Sequence, residues 1–268
     1  MESFSAEWLA LREPVDHVSR ADALVSWIGA RLGPSHRPGA LDLACGTGSN
    51  VRHLAPRLPA VRQWTLVDHD AVLLDLARHL ALADENDARD RLGCARLDLR
   101  DLDALPIAGH ALVTGSALLD LVSAAWLDGL VHRCRAAGAA VLFALSYDGR
   151  IECRPADAWD ARIRELVNEH QVTDKGFGPA LGPAAAATAA RDLARAGYDV
   201  ETAASDWVLD ARQAPLVRLL FDGWAGAARA ISPADADAVA DWRLRADRRL
   251  DAGLKVRVGH TDVAAALR

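Results

Sequence analysis

Leu41-Asp42-Leu43-Ala44-Cys45-Gly46-Thr47-Gly48-Ser49-Asn50 is the stretch on which the reading of this chain turns. Ala40–Cys45 is a short apolar run that stops at glycines, as a buried strand ending in a tight turn does. Gly46 and Gly48 permit torsions and a close approach that a Cβ would block. Asn50–Leu58 then reads as a helix. Strand, glycine turn and helix put free helix N–H groups at the carboxyl edge of a sheet, where α/β folds receive polar ligands.

The alternation continues outward. Trp64–Val67 reads as a strand ended by Asp68, Val72–Leu82 as an apolar helix and Ala95–Leu99 as a strand. A short Leu102–Leu105 segment follows, then the strand Ala111–Thr114. Ala117–Ala137 contains a helix stopped by Gly138, and Ala139–Leu145 is the most apolar strand. Strands and helices alternating at this spacing predict βαβ units around a parallel sheet. Upstream, residues 5–32 read as helical, broken into two pieces by Pro14 and ended by Gly33-Pro34. Downstream, a helix spans 156–170, and the glycine- and proline-rich Gln171–Pro183 reads as a mobile loop. A helix over Ala184–Ala196 stops at Gly197, and Asp199–Leu209 is a strand. Pro215–Ala228 is helical, Ser232-Pro233-x-Asp235 is a cap signature for the helix running to Gly253, and Leu254–Val258 alternates like an edge strand.

The expected fold is α/β and doubly wound: a mostly parallel seven-stranded sheet with an antiparallel last strand and helices on both faces. It forms one domain over 1–268, with an N-terminal helical cap (1–37) and a ligand-binding half (38–150). A helix and lid-like segment (151–183) and a C-terminal half closing the sheet (184–268) complete it.

Composition narrows the function. The 268 residues carry 31 Lys+Arg and 37 Asp+Glu, a formal net charge of −6, with 51% hydrophobic residues. That is a globular profile, and such a length can bury roughly 75% of its unfolded surface. The only lysines are Lys175 and Lys255, and the arginines are scattered among acids, so no basic surface for nucleic acid is expected. Cys45, Cys94, Cys134 and Cys153 show no metal-ligand spacing, which predicts a reduced, cytoplasmic protein with no metal site. No secretory leader is expected. The longest uncharged stretch, Ala104–Leu119, is interrupted by Pro106, Gly109, His110 and Gly115, so no membrane partner is expected either.

Asp68 follows Asp42 by 26 residues and Asp98 follows Asp68 by 30, each at the end of its strand. Together with the glycine turn, these residues resemble the class I S-adenosylmethionine-dependent methyltransferases, a family with a Rossmann-like fold. In that family an acidic residue opens the glycine motif, matched by Asp42. A glycine often stands where this chain has Ala44. The ribose ligand is matched by Asp68. The acid closing strand three is matched by Asp98, which accepts from the adenine amino group while the Leu99 N–H reaches a ring nitrogen. The fourth motif, at the end of strand four, is matched by Thr114-Gly115-Ser116-Ala117-Leu118-Leu119-Asp120, and antiparallel strands six and seven close the fold. The resemblance implies S-adenosyl-L-methionine as cofactor, held by Asp42, Ala44, Cys45, Gly46, Thr47, Gly48, Asn50, Asp68, His69, Asp98, Leu99 and Ser116. A dehydrogenase fingerprint would want a third small residue where Val51 stands, and would leave Asp98 unexplained.

The implied activity is methyl transfer to an O or N nucleophile of a small-molecule acceptor, by a monomer or homodimer. A macromolecular methyltransferase and a non-catalytic S-adenosylmethionine-binding protein are the alternatives; the strand-four end lacks the Asn/Asp-Pro-Pro-aromatic tetrapeptide of base amino-methylation. On the acceptor side, His170 reads either as a core histidine or as a general base or substrate ligand. With Asp174 it stands in the polar cluster Asn168, Gln171, Asp174 and Lys175, and these two are the catalytic candidates. Asp120 reads as a substrate-facing acid or a helix cap, and Tyr147-Asp148 as substrate contacts or turn residues. Arg12 and His17 read as surface residues, or as ligands of a methionine carboxylate if the N-terminal helices cover the site. Cys45 reads as a small buried residue, not a nucleophile.

Overall fold

A computed structural model describes residues 5–32, 39–81 and 92–267. Five parallel strands form its centre: β1 (Gly39–Leu43), β2 (Gln63–Asp68), β3 (Leu92–Arg96), β4 (Leu112–Ser116) and β5 (Ala140–Arg154). β6 (Tyr198–Ala204), β7 (Trp207–Leu209) and β8 (Lys255–Leu267) complete the sheet. The order is β3-β2-β1-β4-β5-β8-β6, with β7 also pairing β8. β8 is antiparallel to β5, β6 and β7, so it alone runs against the rest. The sheet is therefore mostly parallel with an antiparallel last strand, as expected, but has eight strands.

Helices α1 (Ala6–Ser19), α2 (Asp22–Arg31), α3 (Ser49–Leu54), α4 (Ala71–Ala81) and α5 (Ala124–Ala137) belong to the first half. α6 (Asp160–Gln171), α7 (Ala185–Arg195), α8 (Ala214–Ile231) and α9 (Ala236–Asp251) belong to the second. Alternation along β1 sorts the core into layers: Leu41 and Leu43 pack with α5 and α7, whereas Ala40 packs with α2, α3 and α4. A third cluster joins Ile151, Val256 and Val258 to α6, α8 and α9, centred on Trp242 and Phe221 with rings at 5.7 Å.

Several boundaries differ from the sequence reading. α1 runs through Pro14, and the chain breaks at Arg20, whose extended ψ of 147° ends the helix. Buried Val15 and Asp16 hold the turn after the proline in place. β5 does not stop at Leu145. It continues to Arg154 through two register shifts, because β8 supplies a partner along the whole length. Leu254–Val258 is accordingly no edge: β8 lies inside the sheet, its Val263-Ala264-Ala265-Ala266 small enough to be buried on both faces. Asp199–Leu209 splits into β6 and β7, where the Ser205 N–H donates to the His260 carbonyl and the Asp206 carboxylate accepts from the His260 N–H. β3 ends at Arg96, two residues before Asp98. The Ser232 side chain makes no cap bond; a 3-10 turn over Pro233–Asp235 starts α9 instead. Gly33-Pro34 and the end of the predicted helix at Leu82 lie outside the described residues.

Candidate active site

The carboxyl ends of β1, β2 and β4 converge on a cavity of about 410 Å³. Ala44 and Gly46 reach it from the β1 turn, Asp68 and His69 from β2, Leu73 from α4, Leu99 from the loop after β3, and Ser116, Ala117, Leu118 and Leu121 from β4 onward. Two further segments close it: Leu9 and Arg12 of α1, and His170 at the end of α6 with Thr173–Phe177 after it.

The β1 turn winds through positive φ at Ala44 (51°), Gly46 (52°) and Gly48 (79°). Ala117 (51°) after β4 and Leu145 (57°) in β5 share this region. Non-glycine residues there store strain, which concentrates where backbone is held for a ligand. Asp68 is buried, its carboxylate accepting from the Gly46 N–H at 2.9 Å and the Asp70 N–H at 3.0 Å. It thereby ties the glycine turn to the tip of β2 while still bounding the cavity.

Asp42, Cys45, Thr47, Gly48 and Asn50 do not line the cavity; they form the floor and framework of the turn. Asp42 is fully buried on the α2–α3 side of β1, where Asn50 Nδ2 donates to it at 2.6 Å. Asn50 also donates to Thr114 Oγ1 at 3.1 Å, and Thr114 donates to the Leu142 carbonyl at 2.6 Å. Arg20 reaches under the turn and donates to Asn50 Oδ1 (2.5 Å) and Ser116 Oγ (2.9 Å). Burial pushes the Cys45 thiol far up, as suits an inert packing residue. Asp98 lies outside the cavity, half-exposed and paired with Arg100, which holds its carboxyl down at about 2. Leu99 beside it is buried and does line the cavity, its carbonyl accepting from Trp126 Nε1 at 2.6 Å.

Burial pushes the Asp42 carboxyl up to about 7. A folded-state value above the unfolded one means that ionisation costs stability as pH rises from about 4 through 7, and adds no further cost above. Asp42→Asn keeps the acceptor for Asn50 and removes the titration. Its stability relative to the native chain is expected to improve by about 2 kcal/mol between pH 5 and pH 8 in urea unfolding. A difference that stays constant with pH would show that Asp42 is already ionised at pH 5.

The acceptor-side residues come together as follows. His170 and Asp174 both line the cavity, so His170 is not enclosed in the core. Lys175 Nζ lies 3.1 Å from His170 Nδ1; an ammonium only donates, so Nδ1 accepts and the proton of the neutral ring sits on Nε2. Asp174 Oδ1 accepts from the N–H groups of Gly176 (2.6 Å) and Gly178 (3.0 Å) and shapes the turn. The segment read as a mobile loop is pinned at several points. Phe177 packs edge-on against Trp126 at 5.5 Å, Leu181 N–H donates to the Val122 carbonyl, and Ser123 bridges to Ala180.

Tyr147 and Asp148 do not reach the cavity, because β5 carries them onward: the Tyr147 hydroxyl donates to Asn168, and Asp148 pairs with Arg150. Asp120 is buried, is not among the residues that line the cavity and caps no helix; burial raises its carboxyl to about 6. His17 lies against Ser49 at 3.1 Å and stays outside the cavity. Arg12, with Leu9, does arrive there, gripped by Asp16 at 2.8 Å and lying 5.0 Å from the Trp207 ring centroid. The i,i+4 spacing of Arg12 and Asp16 was a visible signal for that pair; nothing local marked Arg20, Thr173 or Phe177. Among the described residues there is no cluster of metal-ligating side chains and no helix long and apolar enough to cross a membrane.

No family model matches the chain, and no curated protein matches it. Solved structures do. A provisionally named methyltransferase of Bacillus halodurans C-125 is 15% identical, with 91% of this chain and 97% of that one covered and a TM-score of 0.52. Geranyl diphosphate C-methyltransferase of Streptomyces coelicolor A3(2) is 13% identical over 92% of this chain and 77% of that one, TM-score 0.47. The cyclopropane synthase MmaA2 of Mycobacterium tuberculosis is 11% identical over 91% and 83%, TM-score 0.47. The chain has the Rossmann-like fold of the class I methyltransferases. At 15% identity the likeness to the Bacillus halodurans protein shows the fold alone.

Proposed function

We propose that this chain is an S-adenosylmethionine-dependent methyltransferase acting on an O or N nucleophile of a small molecule. One observation carries the reading: a single cavity joins the glycine turn and Asp68 to a second wall made by His170 and Thr173–Phe177. The residues fit the cofactor. Asp68 bounds the cavity, where ribose hydroxyls can donate to it beside His69, whose Nδ1 lies 3.2 Å from its Oδ1. Leu99 presents backbone to an adenine edge, with Asp98 beside it, and Leu73 and Leu118 supply apolar walls. When bound, S-adenosylmethionine supplies an electrophilic methyl group on a sulfonium.

The chain's own contribution is orientation and exclusion of water, which supply most of the acceleration of an in-line displacement. Leu9, Leu121 and Phe177 exclude solvent. His170, held by Lys175 with Nε2–H as donor, orients the acceptor, and Asp174 keeps the wall in shape through its two N–H contacts. The protein acts as a soluble cytoplasmic enzyme without nucleic-acid or membrane partners.

Calorimetry should detect binding of S-adenosylhomocysteine and none of NADH. Methyl transfer to an acceptor found by screening small alcohols, carboxylates and amines should fall at least about tenfold in His170→Ala and Asp174→Ala, with S-adenosylhomocysteine affinity unchanged. NADH binding without S-adenosylhomocysteine binding would overturn the reading. Full turnover in both variants would remove the acceptor-side roles.

A further inference from the structure

Arg12 of α1 brings a guanidinium to the cavity wall with one of its hydrogen-bonding edges already spent. Nε and Nη2 donate to Asp16 Oδ2 and Oδ1 at 2.8 and 3.3 Å, which occupies the side-on edge of the group. Asp16 is itself fixed, since it also accepts from Trp207 Nε1 at 3.0 Å. The guanidinium carbon lies 5.0 Å from the Trp207 ring centroid, close enough for the ring to hold the cation in place. Asp16 does not line the cavity. Nη1 makes no hydrogen bond among the described residues and is not sealed in. The end-on edge, Nη1 with the outer N–H of Nη2, is therefore left for a ligand.

The position of this edge separates it from the adenosine end. Leu9, one turn earlier, lies against Gly46, and from there α1 leads to Trp207 of β7, which pairs with β8. Asp68 and Leu99 stand at β2 and past β3, on the opposite side of the sheet order. Around Arg12 the wall offers mostly donors. Lys175 is a second cation, and its bond to His170 Nδ1 leaves the imidazole with Nε2–H as donor. The acid there, Asp174, already accepts from the Gly176 and Gly178 N–H groups. Asp120, whose ionised form the Arg12 charge also favours, does not line the cavity.

We propose that the methyl acceptor carries a carboxylate, separate from its O or N nucleophile, and that the end-on edge of Arg12 grips it. The proposal deepens the acceptor reading above and rests on it. Two parallel N–H groups in a clamped plane match the two oxygens of a planar carboxylate, a fit that an ammonium cannot provide. The carboxylate is the anchor and stays unmodified, while the nucleophile on the same molecule takes the methyl group.

Matched probes test this: salicylate, anthranilate and lactate, each against its carboxamide. They are titrated by calorimetry into the native chain and Arg12→Lys, with and without S-adenosylhomocysteine, and melting temperatures are recorded alongside. The loaded native chain should bind at least one carboxylate about tenfold or more tighter than its carboxamide, a comparison that needs no variant to fold. Arg12→Lys keeps a cation for Asp16 and loses the second edge. It should lose that preference while its melting temperature and S-adenosylhomocysteine affinity stay near native. Carboxylates bound no better than carboxamides, no probe bound at all, or a preference that survives in Arg12→Lys would overturn the proposal. So would a matching loss of S-adenosylhomocysteine affinity in Arg12→Lys, which would put Arg12 on the cofactor. A carboxylate preference lost in Arg12→Lys, in a chain that binds no S-adenosylhomocysteine, would keep the anion site and overturn the methyltransferase reading instead.

Discussion

Asp68→Ala is expected to bind S-adenosylhomocysteine about ten- to a hundredfold more weakly than the native chain, a loss of about 1.5–3 kcal/mol. Two effects combine. The direct one is loss of the carboxylate proposed to accept from the ribose hydroxyls. The indirect one is release of the glycine turn, since Asp68 also accepts from the Gly46 N–H at 2.9 Å. Asp68→Asn separates them: it keeps an oxygen for Gly46 and loses the charge, so its affinity should lie between the two. Stability should change much less than affinity, because the freed Gly46 and Asp70 N–H groups lie only part-buried and can be hydrated. Calorimetry and thermal melting on the same samples check this. Native-like affinity in Asp68→Ala would remove Asp68 from the site.

The largest effect on stability is expected at Asp262→Ala, about 3–5 kcal/mol in urea unfolding. Asp262 on β8 is 2% exposed and accepts from three places in the chain: the Ala21 N–H (3.0 Å), the Leu145 N–H (2.7 Å) and the Ser205 hydroxyl (2.5 Å). It joins the start of α2, the bend in β5 and the β6–β7 break, and it faces the charge of buried Arg20. Alanine would orphan these donors and remove a counter-charge together, and Leu145 would keep a φ of 57° without its anchor. Asp262→Asn retains one acceptor oxygen and should cost less. Burial raises the Asp262 carboxyl, yet the three donors and Arg20 favour its charged form, which makes this aspartate a held acceptor instead of an idle acid. A loss below about 1 kcal/mol in Asp262→Ala would show that water replaces the carboxylate.

Local signals were enough for the order and type of the first strands and helices. Apolar runs ended by glycine or aspartate mark β1, β2 and β4, and the glycine turn marks where a ligand would lie, because backbone geometry there depends on a few adjacent residues. The same locality explains Asp42, Ala44, Gly46 and Asp68, whose places follow from strand ends. Spacing alone did not tell the cavity wall from the floor. Asp42 lies on the buried α2–α3 side of β1, and Asn50 of α3 meets it there, so both become framework instead of cavity wall.

What the chain's order of residues determined is the α/β class, the parallel half of the sheet and the ligand-facing turn, since the strand–turn–helix units are marked locally and their alternation implies parallel pairing even between strands far apart in sequence. Only the tertiary structure decided the rest. β5 runs on to Arg154 and β8 sits inside the sheet because two distant segments pair, which no short window of sequence expresses. Pro14 stays within a helix because Asp16, paired with Arg12 inside that helix, accepts from Trp207 Nε1 across the fold. Arg20, Arg12 and Phe177 reach the site from segments far from the glycine turn. Their roles come from burial and from donor and acceptor partners that exist only once those segments are packed together.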